Sequence, residues 1–265
     1  MKQNKYFNPG RFARLLRNDL LINQKTYLFT IIGFAIAIYA IFYFIMRANY
    51  GGVTQPKDYI PLIVIYLMAV GIFIGNAFPT LTDQIKTSNY LLTPGSTLEK
   101  LMVQYVVRIV LFIPIALCLF WIGAHLAKAS MLPEPRINFD PSRIPDFHFS
   151  DLFAPVPLLR DKLVILISIF SVISLLFTGS VYFNRFALVK TVIVTAIVIG
   201  LVVLSFVFFS HIFYPAETHG FHIHNISYRI GKNLYNTQLA IYLLGYLSWI
   251  FFLLLAYFKL KEKEV

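Results

Sequence analysis

Residues 78–105 read FPTLTDQIKTSNYLLTPGSTLEKLMVQY, and they separate two strongly apolar stretches. Thr82, Asp83, Gln84, Lys86, Thr87, Ser88 and Asn89 form a polar run. Pro94–Gly95 breaks the backbone, and Ser96-Thr97-Leu98-Glu99 has the spacing of a capping box. In such a box the Ser96 hydroxyl accepts from the backbone N–H of Glu99, and the Glu99 carboxylate accepts from the N–H of Ser96. The spacing predicts a helix that starts at Ser96 in water and enters a membrane near Val103. A short capped helix at the foot of a membrane helix suits a surface that a soluble partner grips. The plain alternative is an ordinary capped helix start.

Working outward, composition sets the class. The chain is 58% hydrophobic, 17% aromatic and 13% charged. A soluble domain carries about 25% charged residues, so this composition is that of an integral membrane protein. The formal charge of +11 is spread over interrupted loops and does not make a nucleic-acid surface. The single Cys118 lies in an apolar stretch, which leaves no disulfide framework and no cysteine metal site. Residues 1–26 are basic and interrupted, unlike a signal peptide.

Those residues are also amphipathic. Asn8 can cap, Pro9 suits the first helical position, and Phe12, Leu15, Leu16 and Leu20 recur at helical spacing. Arg11, Arg14 and Arg17 flank the stripe. The expectation is a helix lying in the headgroup layer with its arginines towards phosphates. The plain alternative is the positive flank of the first span. Six spans follow, at about 27–46, 60–78, 103–127, 163–183, 189–212 and 239–258, each near the ~20 residues that cross the hydrocarbon. The predicted fold is therefore an all-α integral membrane protein. An interfacial helix occupies 1–26, a six-helix transmembrane domain 27–258 and a tail 259–265.

Charge placement orients it. Residues 1–26, the loops 79–102 and 184–190, and the tail hold 13 of the 23 Lys and Arg. The longer loops 47–59, 128–162 and 213–237 hold 9, and Arg108 falls just inside the third span. The positive-inside rule puts both termini in the cytoplasm. Gly71 and Gly75 form a GxxxG pattern for close helix approach, within the chain or between two copies. Pro114 should kink the third span. No Asp, Glu, Lys or Arg falls at the middle of a span. Arg108, near the cytoplasmic end, can snorkel to the interface. The absence of charge at membrane depth argues against an ion-coupled carrier or channel.

The outer loops offer little chemistry. Residues 128–162 carry six prolines and read as irregular and solvated, with one short helix near 149–153. The later loop contains Glu217, His219, His222 and His224, candidate ligands for zinc or copper. No second ligand cluster, H-E-x-x-H pattern or phosphate-binding glycine loop accompanies them. No cofactor is expected.

Two stretches carry a resemblance. Leu91, Leu92, Pro94, Gly95, Ser96, Glu99 and Lys100 match a Leu-Leu-x-Pro-Ala/Gly-Ser-x-x-Glu-Lys run. Residues 179–191, GSVYFNRFALVKT, match a Gly-Ser-x-Tyr-Phe-basic-basic run that ends in Lys-Thr, with Asn184 in place of one basic residue. These runs resemble the cytoplasmic segments of a family of bacterial six-span membrane proteins similar to type-2 ABC transporter permeases. The resemblance implies a permease-like subunit in a bacterial plasma (inner) membrane, paired with a second permease chain and driven by a separate cytoplasmic ABC-type ATPase. Without a G-x-x-x-x-G-K-[ST] loop the chain itself is not the ATPase. The docking residues implied on the cytoplasmic side are Asp83, Lys86, Pro94, Ser96, Glu99, Lys100, Arg185 and Lys190. Two other classes remain open, a non-transporting membrane scaffold or assembly factor and a metal-dependent membrane enzyme that uses the histidines. Neither substrate nor direction of transport is legible.

Overall fold

The computed structural model describes residues 7–48, 55–78, 81, 87, 90, 92–131, 144–153, 159–183, 186–213, 229–231 and 234–263. Nearly all of them are helical. Helix α1 (Pro9–Ile22) ends at Asn23, and α2 (Gln24–Ala48) starts one residue later. A 3-10 turn at Pro56–Asp58 leads into α3 (Tyr59–Ile74). Helix α4 then runs from Thr97 to Ala129. Helices α5 (Leu159–Tyr182), α6 (Ala187–Phe213) and α7 (Asn236–Glu262) complete the bundle. A two-stranded antiparallel pairing of Arg229–Gly231 with Leu234–Tyr235 precedes α7.

Five helices among the described residues are long and apolar enough to cross a membrane: Gln24–Arg47, Pro56–Ile74, Thr97–Ala129, Ile165–Tyr182 and Ala187–Ser205. The chain is thus a multi-pass membrane protein. Exposed Val192, Ile193, Ile197 and Leu204 on α6 fit that solvent, since in lipid an apolar side chain facing outward costs nothing.

Helix α2 lies along α4, and α5 along α7 and α6, while α3 touches both α4 and α5. Polar side chains tie α5 to α7. Thr178 donates to the Phe252 carbonyl at 2.8 Å and Ser248 to Ser171 at 2.7 Å. Gly71 and Gly75 settle where the GxxxG seam lies. A Cβ on Gly71 would come within 2.9 Å of Leu176, and one on Gly75 within 2.8 Å of Leu188. The seam is internal, between α3 and the α5–α6 region. Gly179 and Thr191, the two ends of the second motif, pack so closely that a Cβ on Gly179 would collide with the Thr191 side chain.

The irregularity expected from Pro114 appears just before it, as a π-helical stretch over Val106–Leu111. Pro114 has no N–H to return to the carbonyl of Val110, and the widened turn that contains Val110 absorbs the mismatch. The short helix expected near 149–153 is a 3-10 helix, Phe149–Phe153. The loop before it is not simply solvated, which corrects the reading of proline spacing. Ile144 and Phe147 are buried. Phe147 packs on Tyr59 and Phe120 with ring centroids 5.1 Å apart in each case.

Candidate functional site

The capped start of α4 is the point where α1 meets the bundle. Ser96 has the extended backbone of an N-cap, with φ −73° and ψ 154°. Its hydroxyl accepts from the Glu99 N–H at 3.2 Å, and its own N–H donates to Glu99 Oε2 at 2.9 Å. Both halves of the capping box therefore form. Gly95 lets the turn close against α1, because a Cβ there would sit 2.7 Å from Leu15 Cδ1.

Glu99 reaches further than its own helix. The Asn8 N–H donates to Oε1 at 2.7 Å, and Arg11 donates through Nε to Oε2 at 2.6 Å and through Nη2 to Oε1 at 2.9 Å. Asn8 is the N-cap of α1, and its side chain accepts from Gly10 N–H at 3.0 Å. One carboxylate thus sits where the N-termini of two helices meet, and it balances the partial positive charge of both. The fork of Arg11 supplies the bidentate geometry that makes such pairs strong. Glu99 also holds Arg11 more firmly protonated than an ordinary guanidinium, chiefly through the side-chain hydrogen bond.

A second carboxylate joins three helices. Asp19 accepts from Tyr27 Oη at 2.7 Å, Asn23 Nδ2 at 3.1 Å and Gln104 Nε2 at 2.9 Å. It is the only acidic residue among 1–26. Beside it lies a cavity of about 190 Å³, walled by residues that include Leu15, Asp19, Lys100, Gln104 and Arg108.

Three expectations change here. Arg108 does not snorkel. It is buried, with its guanidinium 4.5 Å from the Phe73 ring centroid and 5.4 Å from that of Tyr27. Two aromatic faces take the charge in place of headgroup water. Arg11 points at Glu99 rather than at lipid phosphate, whereas Arg14 and Arg17 stay exposed. Glu99 is 0% and Lys100 4% exposed, so neither side chain lies on the outer surface for a partner to touch. Helix α1 covers Glu99, and Lys100 lies over the ring of Tyr90 at 6.0 Å.

Of the other expected docking residues, Pro94 and Lys190 are exposed and Ser96 is half-buried. Asp83, Lys86 and Arg185 lie outside the described residues, as do His219, His222 and His224. Among the described residues no three His, Cys, Asp or Glu side chains gather as a metal site. Two exposed side chains of the motif segments stand out instead, Leu92 at 78% and Phe186 at 79% exposure. Phe186 is also the one described non-glycine residue with positive φ, 52°, a backbone state that costs a bulky side chain energy.

Sequence spacing missed both carboxylate clusters, Asn8 and Arg11 on Glu99, and Gln104 on Asp19. The available signals were the lone acid in a basic segment and a capping glutamate with an apolar helix behind it. Compared with known proteins, the chain matches no protein-family model, no curated protein and no solved structure.

Proposed function

We propose that the chain is a permease-like membrane subunit moved by a separate cytoplasmic ATPase. The observation that carries this reading is the Glu99 tie, which joins the turn at Pro94–Gly95, helix α1 and the start of α4 into one unit. A push on that turn is then delivered to α4 along its whole length. A flexible connector would dissipate it. In this reading α7 is the sixth span, both termini are cytoplasmic, the membrane is a bacterial inner membrane, and a second permease chain completes a two-fold assembly. The Gly71–Gly75 seam is occupied within the chain, so the second chain packs elsewhere.

The partner contact moves from the buried pair Glu99 and Lys100 to Leu92 and Phe186, with Pro94 and Lys190 beside them in sequence. Leu92 and Phe186 lie in turns outside the spans, where a large exposed apolar side chain has no lipid to face and suits a protein contact. Affinity purification from native membranes in mild detergent tests the reading. A nucleotide-binding subunit should co-purify, and Leu92→Asp with Phe186→Asp should release it while leaving expression unchanged. Purification with no ATPase at all would favour a scaffold. Orientation is read by cysteine labelling, with Asn49, Ser142 and Asn225 accessible from outside and Thr87 protected.

A further inference from the structure

The cavity between α1 and the start of α4 has the chemistry of a lipid headgroup site. Its walls include Arg108 and Gln104, which are 6% and 7% exposed. Both hold a buried polar atom without a hydrogen-bond partner among the described residues, Arg108 Nε and Gln104 Oε1. Such atoms are uncommon, and leaving one unpaired costs the desolvation of the group. The Gln104 amide cannot be turned round to relieve it. Its Nε2 donates to Asp19 Oδ1, and a carboxylate offers only acceptors.

The two orphan atoms ask for opposite things. Arg108 Nε needs an acceptor, and phosphate is, with carboxylate, one of the two groups whose geometry a guanidinium matches. Gln104 Oε1 needs a donor. Asp19, already accepting three hydrogen bonds in the same wall, favours a donor that is positively charged. A cavity of ~150 Å³ takes a benzene-sized guest, so about 190 Å³ holds a small headgroup. The wall also includes Ile22, 70% exposed, which follows the exposed apolar residues Leu20 and Leu21 at the end of α1. Acyl chains can leave along that side, and a free ion has no use for it.

We propose that this cavity binds the phosphoethanolamine headgroup of a phospholipid, with phosphate on Arg108 and ammonium towards Gln104 and Asp19. The assignment is independent of the permease reading and holds for a scaffold as well. A choline headgroup has the phosphate but no N–H, so the two lipids separate the two halves of the site.

The test reconstitutes the full chain in nanodiscs with equal phosphatidylethanolamine and phosphatidylcholine and reads the retained lipid by native mass spectrometry. Ethanolamine lipid should be enriched about tenfold, the size of one such hydrogen bond. Gln104→Met should bring the enrichment to nearly one while phospholipid is still retained. Arg108→Met should lower total retained phospholipid by about tenfold. Should that variant fail to insert, Gln104→Met decides alone. Equal retention of the two lipids by the unmodified chain, enrichment that survives Gln104→Met, or unchanged retention in an inserted Arg108→Met protein would each overturn the proposal. Excess inorganic phosphate should leave the lipid adduct in place. Displacement by phosphate would assign the site to the free ion and overturn the lipid assignment.

Discussion

The two ends of the bundle tie down their flanking segments by opposite means. At one end α1 is held by hydrogen bonds to the carboxylates Glu99 and Asp19. At the other, residues 144–153 are held by rings. Phe147 inserts between Tyr59 and Phe120, and Phe120 in turn packs on Phe42 at 5.0 Å and Tyr66 at 5.5 Å. The Tyr59 hydroxyl adds one bond to the Pro145 carbonyl at 3.0 Å. A carboxylate contact is directional and fails when one oxygen is lost. Ring packing is spread over many weak contacts and adapts. The first end therefore transmits position, and the second mainly supplies adhesion.

The largest expected effect is at Glu99. Glu99→Ala removes one half of the capping box of α4 and leaves Arg11 and the backbone N–H groups of Asn8 and Ser96 without their acceptor. The cost should be about 4 kcal/mol, as for breaking a buried ion pair from one side. Hydrogen exchange over residues 9–22 should accelerate in parallel. Arg11→Ala should cost less, because the Arg11 side chain is 31% exposed and Glu99 keeps two backbone donors. Slow exchange across α1 in the Glu99→Ala protein would show that α1 is held by something else.

Phe147→Ala should cost about 3 kcal/mol, at the lower edge for a buried phenylalanine because an end segment can settle inward. The conservative exchanges sharpen the contrast. Phe147→Leu should cost about 1 kcal/mol. Glu99→Gln should recover less than half of the Glu99→Ala loss, since an amide presents donors to donors. Equal tolerance of Phe147→Leu and Glu99→Gln in thermal unfolding would erase the distinction between the two ends. Smaller again are the close approaches. Gly179→Ala meets the β-branched, buried Thr191 and should cost about 2 kcal/mol. Gly95→Ala meets only the tip of Leu15 and should cost about 1 kcal/mol. Adding Leu15→Ala should reduce that second penalty, as a double-mutant cycle would report.

What was legible in the sequence follows the range of each interaction. Ser96 and Glu99 lie three residues apart, and Asn8 stands next to Pro9, so both helix starts could be read locally. The remaining donors to Glu99 come from Asn8 and Arg11, 91 and 88 residues away, which no local pattern reports. Spacing therefore put Glu99 and Lys100 on a surface that α1 and Tyr90 in fact cover. Arg108 shows the same limit. Its depth at the end of a span was clear, but the Phe73 and Tyr27 faces that hold it come from other helices. Gly71 and Gly75 announced a close approach without naming Leu176 and Leu188 as its other side. The apolar lengths were plain because a bilayer imposes them on each helix separately.

The smallest effect belongs to the ion pair of Lys128 and Asp146 at the ring-packed end. Lys128 Nζ donates to Asp146 Oδ1 at 2.7 Å, with the two side chains 24% and 56% exposed. The hydrogen bond to Lys128 holds the Asp146 carboxyl below the usual aspartate range. A depressed carboxylate stabilises the folded state above its unfolded pKa and loses that contribution as pH falls through the lowered value. Lys128→Met should therefore lower stability by less than about 1 kcal/mol at neutral pH, as for exposed pairs. The difference from the unmodified chain should shrink in high salt, begin to fall as pH drops below the ordinary aspartate value near ~3.9, and vanish only below the lowered value of Asp146 itself. Thermal unfolding of both proteins in nanodiscs across that pH range measures it. A deficit that persists at low pH and in high salt would mean that the aliphatic stem of Lys128 is what matters, and that the ring-packed end is apolar in its ion pair as well.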